Sequence, residues 1–221
     1  MMIPFTFYER STGSDLSQSQ YVEGANNMLK QSTRLVWLVF LSGTLCFFTP
    51  SNVLARDFQG VSFSDQVFIN QKPCRLTGIG VRKKLFLDIY YGALYLNEPT
   101  SDANQVINTD QPKRVLLHVV YKEVAQEKWV EGWEEGFSKN LPKPDPALKQ
   151  NIDRFLKCFT EPVKKGEEVS FTYTPGIGTE VSIKGQLKQT IPTREFMTAL
   201  WSIWFGKHPA SESLMNGMLG K

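Results

Sequence analysis

Residues 76–96 read LTGIGVRKKLFLDIYYGALYL, and the half that begins at Leu85 decides the fold. One parity of that half runs Leu85, Leu87, Ile89, Tyr91, Ala93, Tyr95. The other runs Phe86, Asp88, Tyr90, Gly92, Leu94, Leu96. Successive side chains of a strand point to opposite faces, so the two sets define two faces of one β-strand. Both are largely apolar, which predicts a strand covered on both sides. Asp88 and Tyr90 are the polar exceptions, and they share a face.

Outward from this strand, Phe58 to Ile69 alternates between Gly60, Asn70 and Pro73 and reads as short strands. Downstream, Ser101 can cap a short helix through Val106 and Ile107. Arg114 to Tyr121 is a central strand by its β-branched content. From Ala125 to Asn140 the period changes. Trp129, Trp133 and Phe137 recur every four residues with glutamates on the other faces, so a helix is expected, ended by Leu141-Pro142. Asp145-Pro146 opens a second helix. Glu168–Tyr173, Glu180–Ile183 and Gln186–Ile191 read as a meander with Gly-containing turns. Thr193 caps an apolar helix through Trp204 and Phe205, and Ser211 opens a last short one. Strands and helices come in runs without regular βαβ alternation, which predicts an α+β fold: a large, mostly antiparallel sheet with helices on one face.

The composition agrees. The 221 residues are 41% hydrophobic, 12% aromatic and 21% charged, which excludes a disordered tail and a multi-span membrane protein. A net charge of +3, from 25 basic and 22 acidic side chains, gives no reason to expect nucleic acid or an anionic membrane as a partner.

The longest apolar run, Leu35–Phe48, has fourteen residues, too short for a comfortable bilayer span. Lys30 and Arg34 precede it, and Val53-Leu54-Ala55 follows Pro50-Ser51. A basic flank, a short apolar stretch and a small-residue site make a signal peptide. Cleavage after Ala55 is expected, with Met28 as the natural start and no stable membrane span in the mature chain. In the alternatives Cys46 is lipidated, against which stands the large Leu45, or the run stays as an uncleaved anchor. Residues 56–221 then form one domain in the periplasm or outside the cell. It keeps Cys74 and Cys158, which could pair as a disulfide in an oxidising compartment or stay as two buried thiols.

Catalytic signatures are sparse. Gly78-Ile79-Gly80 lacks the third glycine of a dinucleotide fingerprint and opens no helix. His118 and His208 have no Cys or carboxylate at metal-ligand spacing, so no metal and no cofactor is expected. Glu131, Glu134 and Glu135 read as a solvated helix face, and Trp129 with Trp133 as core or pocket lining. Arg82 stands out, because a guanidinium at the mouth of an apolar cavity can hold a carboxylate or phenolate through two parallel hydrogen bonds. Against this, it could be a solvated residue of an Arg-Lys-Lys hairpin tip.

Leu76 to Arg82, followed by Tyr90-Tyr91-Gly92-Ala93-Leu94-Tyr95-Leu96, resembles the chalcone isomerase-like family. The likeness continues through Arg114–Tyr121, the Trp129 helix, Ser170–Ile183 and Trp204-Phe205-Gly206, and the N-terminus suggests an exported bacterial branch. The resemblance implies an open-faced β-sandwich with a cleft between sheet and helices for a flat or elongated apolar ligand. It matches Arg82 to the family's arginine and Tyr90 to the tyrosine with which fatty-acid-binding members grip a carboxylate. Trp129 falls where true isomerases carry a catalytic tyrosine, and Gly136 where they carry an asparagine-like residue. The expected function is therefore non-catalytic binding of a small apolar anion such as a fatty acid, by Arg82, Tyr90, Trp129 and Trp133. The alternatives are an intramolecular lyase and a ligand-free structural protein. On a straight chain Arg82 and Tyr90 would lie about 26 Å apart. They meet only if residues 82–84 fold back, with no Gly or Asn there to ease the turn.

Overall fold

The structure, a computed structural model, describes residues 54–141 and 143–221. The expected signal peptide, the start at Met28 and Cys46 lie outside the described residues. Among the described residues no helix is long and apolar enough to cross a membrane.

The stretch forms two strands, and the one expected from Leu85 begins at Leu87. Strand β4 is Lys72–Lys84 and β5 is Leu87–Leu96; with β3, Gln66–Ile69, they form an antiparallel meander. The chain turns at Leu85 and Phe86, beyond the expected fold-back at residues 82–84, and Leu85 takes the left-handed conformation at φ 56°. The turn was not legible because it contains neither Gly nor Asn, the residues that usually supply such a φ.

β6, Lys113–Val119, pairs with β5 and with β9, Glu168–Thr174. β10, Gly178–Ile183, and β11, Gln186–Ile191, extend the sheet to the order β11-β10-β9-β6-β5-β4-β3, antiparallel throughout. The fold class is therefore α+β, a broad antiparallel sheet with helices packed on one face.

That face carries the larger core. Tyr90, Leu94 and Leu96 of β5 meet Val115 and Leu117 of β6 and Phe171 of β9 there. Above them pack α1 (Ala103–Asn108), α2 (Gln126–Asn140), α3 (Pro146–Leu156) and α4 (Arg194–Phe205). Asp145 and Thr193 cap α3 and α4 as expected, but α1 is capped by Asp102, whose carboxylate accepts from the Asn104 N–H at 2.8 Å, and not by Ser101. Gly136 of α2 lets Ile203 of α4 come so close that a Cβ would meet it at 2.7 Å.

The opposite face is covered too, as the two apolar parities of β5 require. Tyr91, Ala93 and Tyr95 pack with Phe63, Ile69 and Cys74 in a smaller core. A hairpin of β1 (Ala55–Phe58) and β2 (Val61–Ser64) supplies Phe58 and Phe63, and a short pair of β7 (Glu123–Val124) and β8 (Val163–Lys164) completes the strands.

Cys74 lies in this smaller core and Cys158 in the larger one. Both are free and buried, so the disulfide considered from sequence is absent. The Cys74 Sγ points at the Pro112 carbonyl, 3.5 Å away, and the Cys158 Sγ at that of Arg154, 3.6 Å away. Burial pushes both thiols up to about 11, the behaviour of inert packing groups.

The last helix, α5 (Glu212–Met218), explains Gly78-Ile79-Gly80. A Cβ on Gly80 would collide with the Leu214 carbonyl, and one on Gly78 with that of Gly217. The two glycines are a seat for backbone-to-backbone packing, a role with no nucleotide in it.

Candidate functional site

The register of the β4–β5 hairpin makes the site. Arg82 and Tyr90 are direct cross-strand partners, with Val81 opposite Tyr91 behind them. Side chains of directly opposed residues project to the same face, so Arg82 stands beside Tyr90 on the helix side. The fold-back that the pair requires is present.

Above this pair lies a hollow of about 540 Å³. On the sheet side it is lined by the end of the hairpin, with half-buried Arg82 at the rim beside Leu87, Ile89 and Tyr90; on the helix side it is lined by Trp129, Gly132 and Trp133 of α2, and Tyr121, Ala125 and Ile203 complete it. All four residues singled out from sequence are therefore brought together. The hollow has the size usual for small-molecule sites. Another depression, of about 450 Å³, is bordered by Lys139, Lys207, His208, Pro209 and Glu212 and lacks an aromatic wall.

Trp129 stacks on Tyr90 with centroids 5.8 Å apart and planes 19° apart, and Trp133 stacks on Trp129 at 5.8 Å and 18°. Phe155, Phe171 and Trp204 meet Trp133 edge-on, so the stack is braced from beneath. Trp129 and Trp133 are thus wall and core at once, for a ligand facing one side of the stack would find rigid aromatic surface.

The polar groups are few. Among the described residues the Arg82 guanidinium makes no ion pair, and its hydrogen bond from Nη1 to the Lys83 carbonyl is long at 3.5 Å. Of the carboxylates in the rim, Glu135 is held by Lys139 at 2.5 Å and Glu131 by Lys128 at 2.7 Å. The Lys139 bond, and more weakly the charges of Arg82 and Lys84, keep Glu135 below the usual carboxylate range. Burial pushes the Tyr90 phenol up, opposed by the Arg82 charge and the adjacent Trp204 indole. The Trp204 N–H nevertheless falls outside hydrogen-bond geometry with any partner among the described residues. At neutral pH Tyr90 is consequently a neutral O–H donor beside an always-charged guanidinium.

Sequence reasoning missed Ile89, Tyr121, Lys84 and Lys128 as part of this rim. Ile89 was legible only as the face opposite Tyr90, and near the twisted hairpin end both parities reach the hollow. Tyr121 enters from beyond the end of β6, where no periodicity marks it.

An antiparallel sheet with a one-sided helical layer, and an aromatic pocket between them with an arginine at its rim, places the chain among α+β proteins with a hollow between sheet and helices. The sequence profile described as chalcone isomerase-like matches residues 55–220, and the chain belongs to that family. Its structure is similar to the crystal structure of a fatty-acid binding protein from Arabidopsis thaliana. The TM-score is 0.60 at 17% identity, covering 75% of this chain and 96% of that one. At such identity the likeness carries the fold. No curated protein matches the sequence.

Proposed function

We propose that this protein is a non-catalytic carrier that holds a long-chain fatty acid, or a similar apolar monocarboxylate, between sheet and helices. One observation carries the reading: a guanidinium with no ion pair among the described residues stands beside a protonated, buried phenol at the mouth of an aromatic hollow. The carboxylate would accept from Arg82 and from the Tyr90 hydroxyl, and the chain would lie against Trp129 and Trp133. The name of the Arabidopsis relative supports the same ligand class.

The test is titration with a long-chain fatty acid. Arg82→Ala should lose about 1.5–3 kcal/mol of binding, roughly 10- to 100-fold in affinity. Unchanged binding refutes the proposal.

Ring closure of the isomerase type needs a positioned acid or base at the reacting atoms. Trp129 offers none where the resemblance puts the isomerases' tyrosine. Turnover of a chalcone above the uncatalysed rate, followed spectroscopically, would overturn the non-catalytic reading. The third possibility, a cleft filled by its own side chains, is disfavoured by the hollow behind Arg82.

Export to the periplasm or beyond the cell belongs to the same proposal. N-terminal sequencing of the protein recovered from its own cells should begin at Arg56; an intact first segment contradicts export.

A further inference from the structure

Leu85, Phe86 and Leu87 form the tip of the β4–β5 hairpin and are 86%, 98% and 51% exposed. The other large exposed apolar residues among those described, such as Phe68, Ile177 and Leu187, are scattered one to an element. Among the described residues, three occur in succession only at this tip. Leu85 also holds a left-handed φ of 56°, which a Gly or Asn would adopt at less strain, so turn geometry does not account for a leucine here.

Directly before the tip stand Arg82, Lys83 and Lys84. Lys83 pairs with Asp88 at 3.0 Å, while Arg82 and Lys84 have no ion pair among the described residues. The nearby Glu135 is taken up by Lys139. Tyr121, 39% exposed, shares the rim of the hollow with Lys84, Leu85 and Leu87. An apolar wedge with cations at its base and a tyrosine beside it has the chemistry of an element that lies in the bilayer interface. Acyl chains accept the wedge, and anionic headgroups meet the cations.

We propose that the β4–β5 hairpin tip docks on an anionic bilayer surface and seats the mouth of the hollow against the lipid. A fatty acid could then pass between membrane and pocket without crossing bulk water. That purpose rests on the carrier reading, but the contact can be tested without any fatty acid.

The full chain carrying Trp37→Phe and Phe86→Trp is mixed with vesicles whose acyl chains carry bromine, made of phosphatidylcholine with or without phosphatidylglycerol. Trp129, Trp133, Trp201 and Trp204 are at most 5% exposed, so lipid quenching above that of the Trp37→Phe parent reports the indole at position 86. Quenching is expected with the anionic vesicles and is expected to fall with added salt. Lys83→Glu with Lys84→Glu should weaken it by roughly tenfold or more in vesicle concentration. Vesicles that sediment the protein while position 86 stays unquenched overturn the proposal, since attachment then runs through another segment. Absence of binding to anionic vesicles also overturns it. In parallel, Phe86→Ser should keep the parent's affinity for dissolved fatty acid. A tip that is quenched in a protein that binds no fatty acid would retain the docking surface and refute the carrier.

Discussion

Lys113 shows how strongly single positions are constrained here. It begins β6 on the helix face, is fully buried, and donates from Nζ to the Val106 carbonyl at 2.5 Å, with the rings of Tyr173 and Trp201 5.9 and 5.8 Å away. Burial, with the charge of Arg194, lowers its pKa to about 7 against the pull of Asp110. The unfolded chain keeps that proton up to the ordinary lysine range, so above pH 7 it binds more protons than the folded one. Stability should therefore rise from pH 7 towards 9, by up to about 1.4 kcal/mol per pH unit. Beyond that, Cys74 and Cys158, held up to about 11, reverse the trend, because their unfolded counterparts ionise first. Urea midpoints across this range should climb in the parent and stay flatter in Lys113→Met; a flat parent profile contradicts the assignment. No sequence pattern marked Lys113, since a lysine at a strand end reads as solvated. Arg82 and Tyr90 were legible as residues by resemblance, whereas their adjacency depended on a turn that the sequence hides.

At the scale of elements, periodicity was the reliable guide. The parities of β5, the four-residue aromatic spacing of α2 and the meander of β9 to β11 all follow from which side chains must be buried. What escaped was contact between distant segments. Gly78 and Gly80 gave no local sign that α5 would rest on them, and the Leu85-Phe86 turn carried no turn residue. Two glycine substitutions should therefore differ in sign. Gly80→Ala drives a methyl into the Leu214 backbone and should destabilise by about 2–4 kcal/mol. Gly132→Ala, in α2 with no atom within 4 Å of the new methyl, should stabilise by up to about 1 kcal/mol. Chemical denaturation of both variants checks the pair. Leu85→Asn relieves the left-handed strain and should raise stability by about 0.5–1 kcal/mol. A loss of stability there would mean that the leucine side chain packs more than its exposure indicates.

Across the whole molecule, the sheet separates two jobs. Its N-terminal half on the face of the β1–β2 hairpin is sealed by the small core under β1 and β2, and the helix face keeps a large core with the aromatic hollow at its edge. The hollow exists because the aromatic stack of Tyr90, Trp129 and Trp133 is braced from one side and leaves the hairpin end unfilled. An arginine at that edge gives the hollow a polarity: charge at the mouth, aromatic surface within. The most direct measurement compares calorimetric titrations of the parent and Arg82→Gln with a long-chain fatty acid and with the alcohol of equal chain length. The parent should prefer the acid by roughly tenfold or more, and Arg82→Gln should bind acid and alcohol alike, with the alcohol's affinity unchanged. A parent that binds the two equally, or binds neither, would contradict a pocket built to grip an apolar anion.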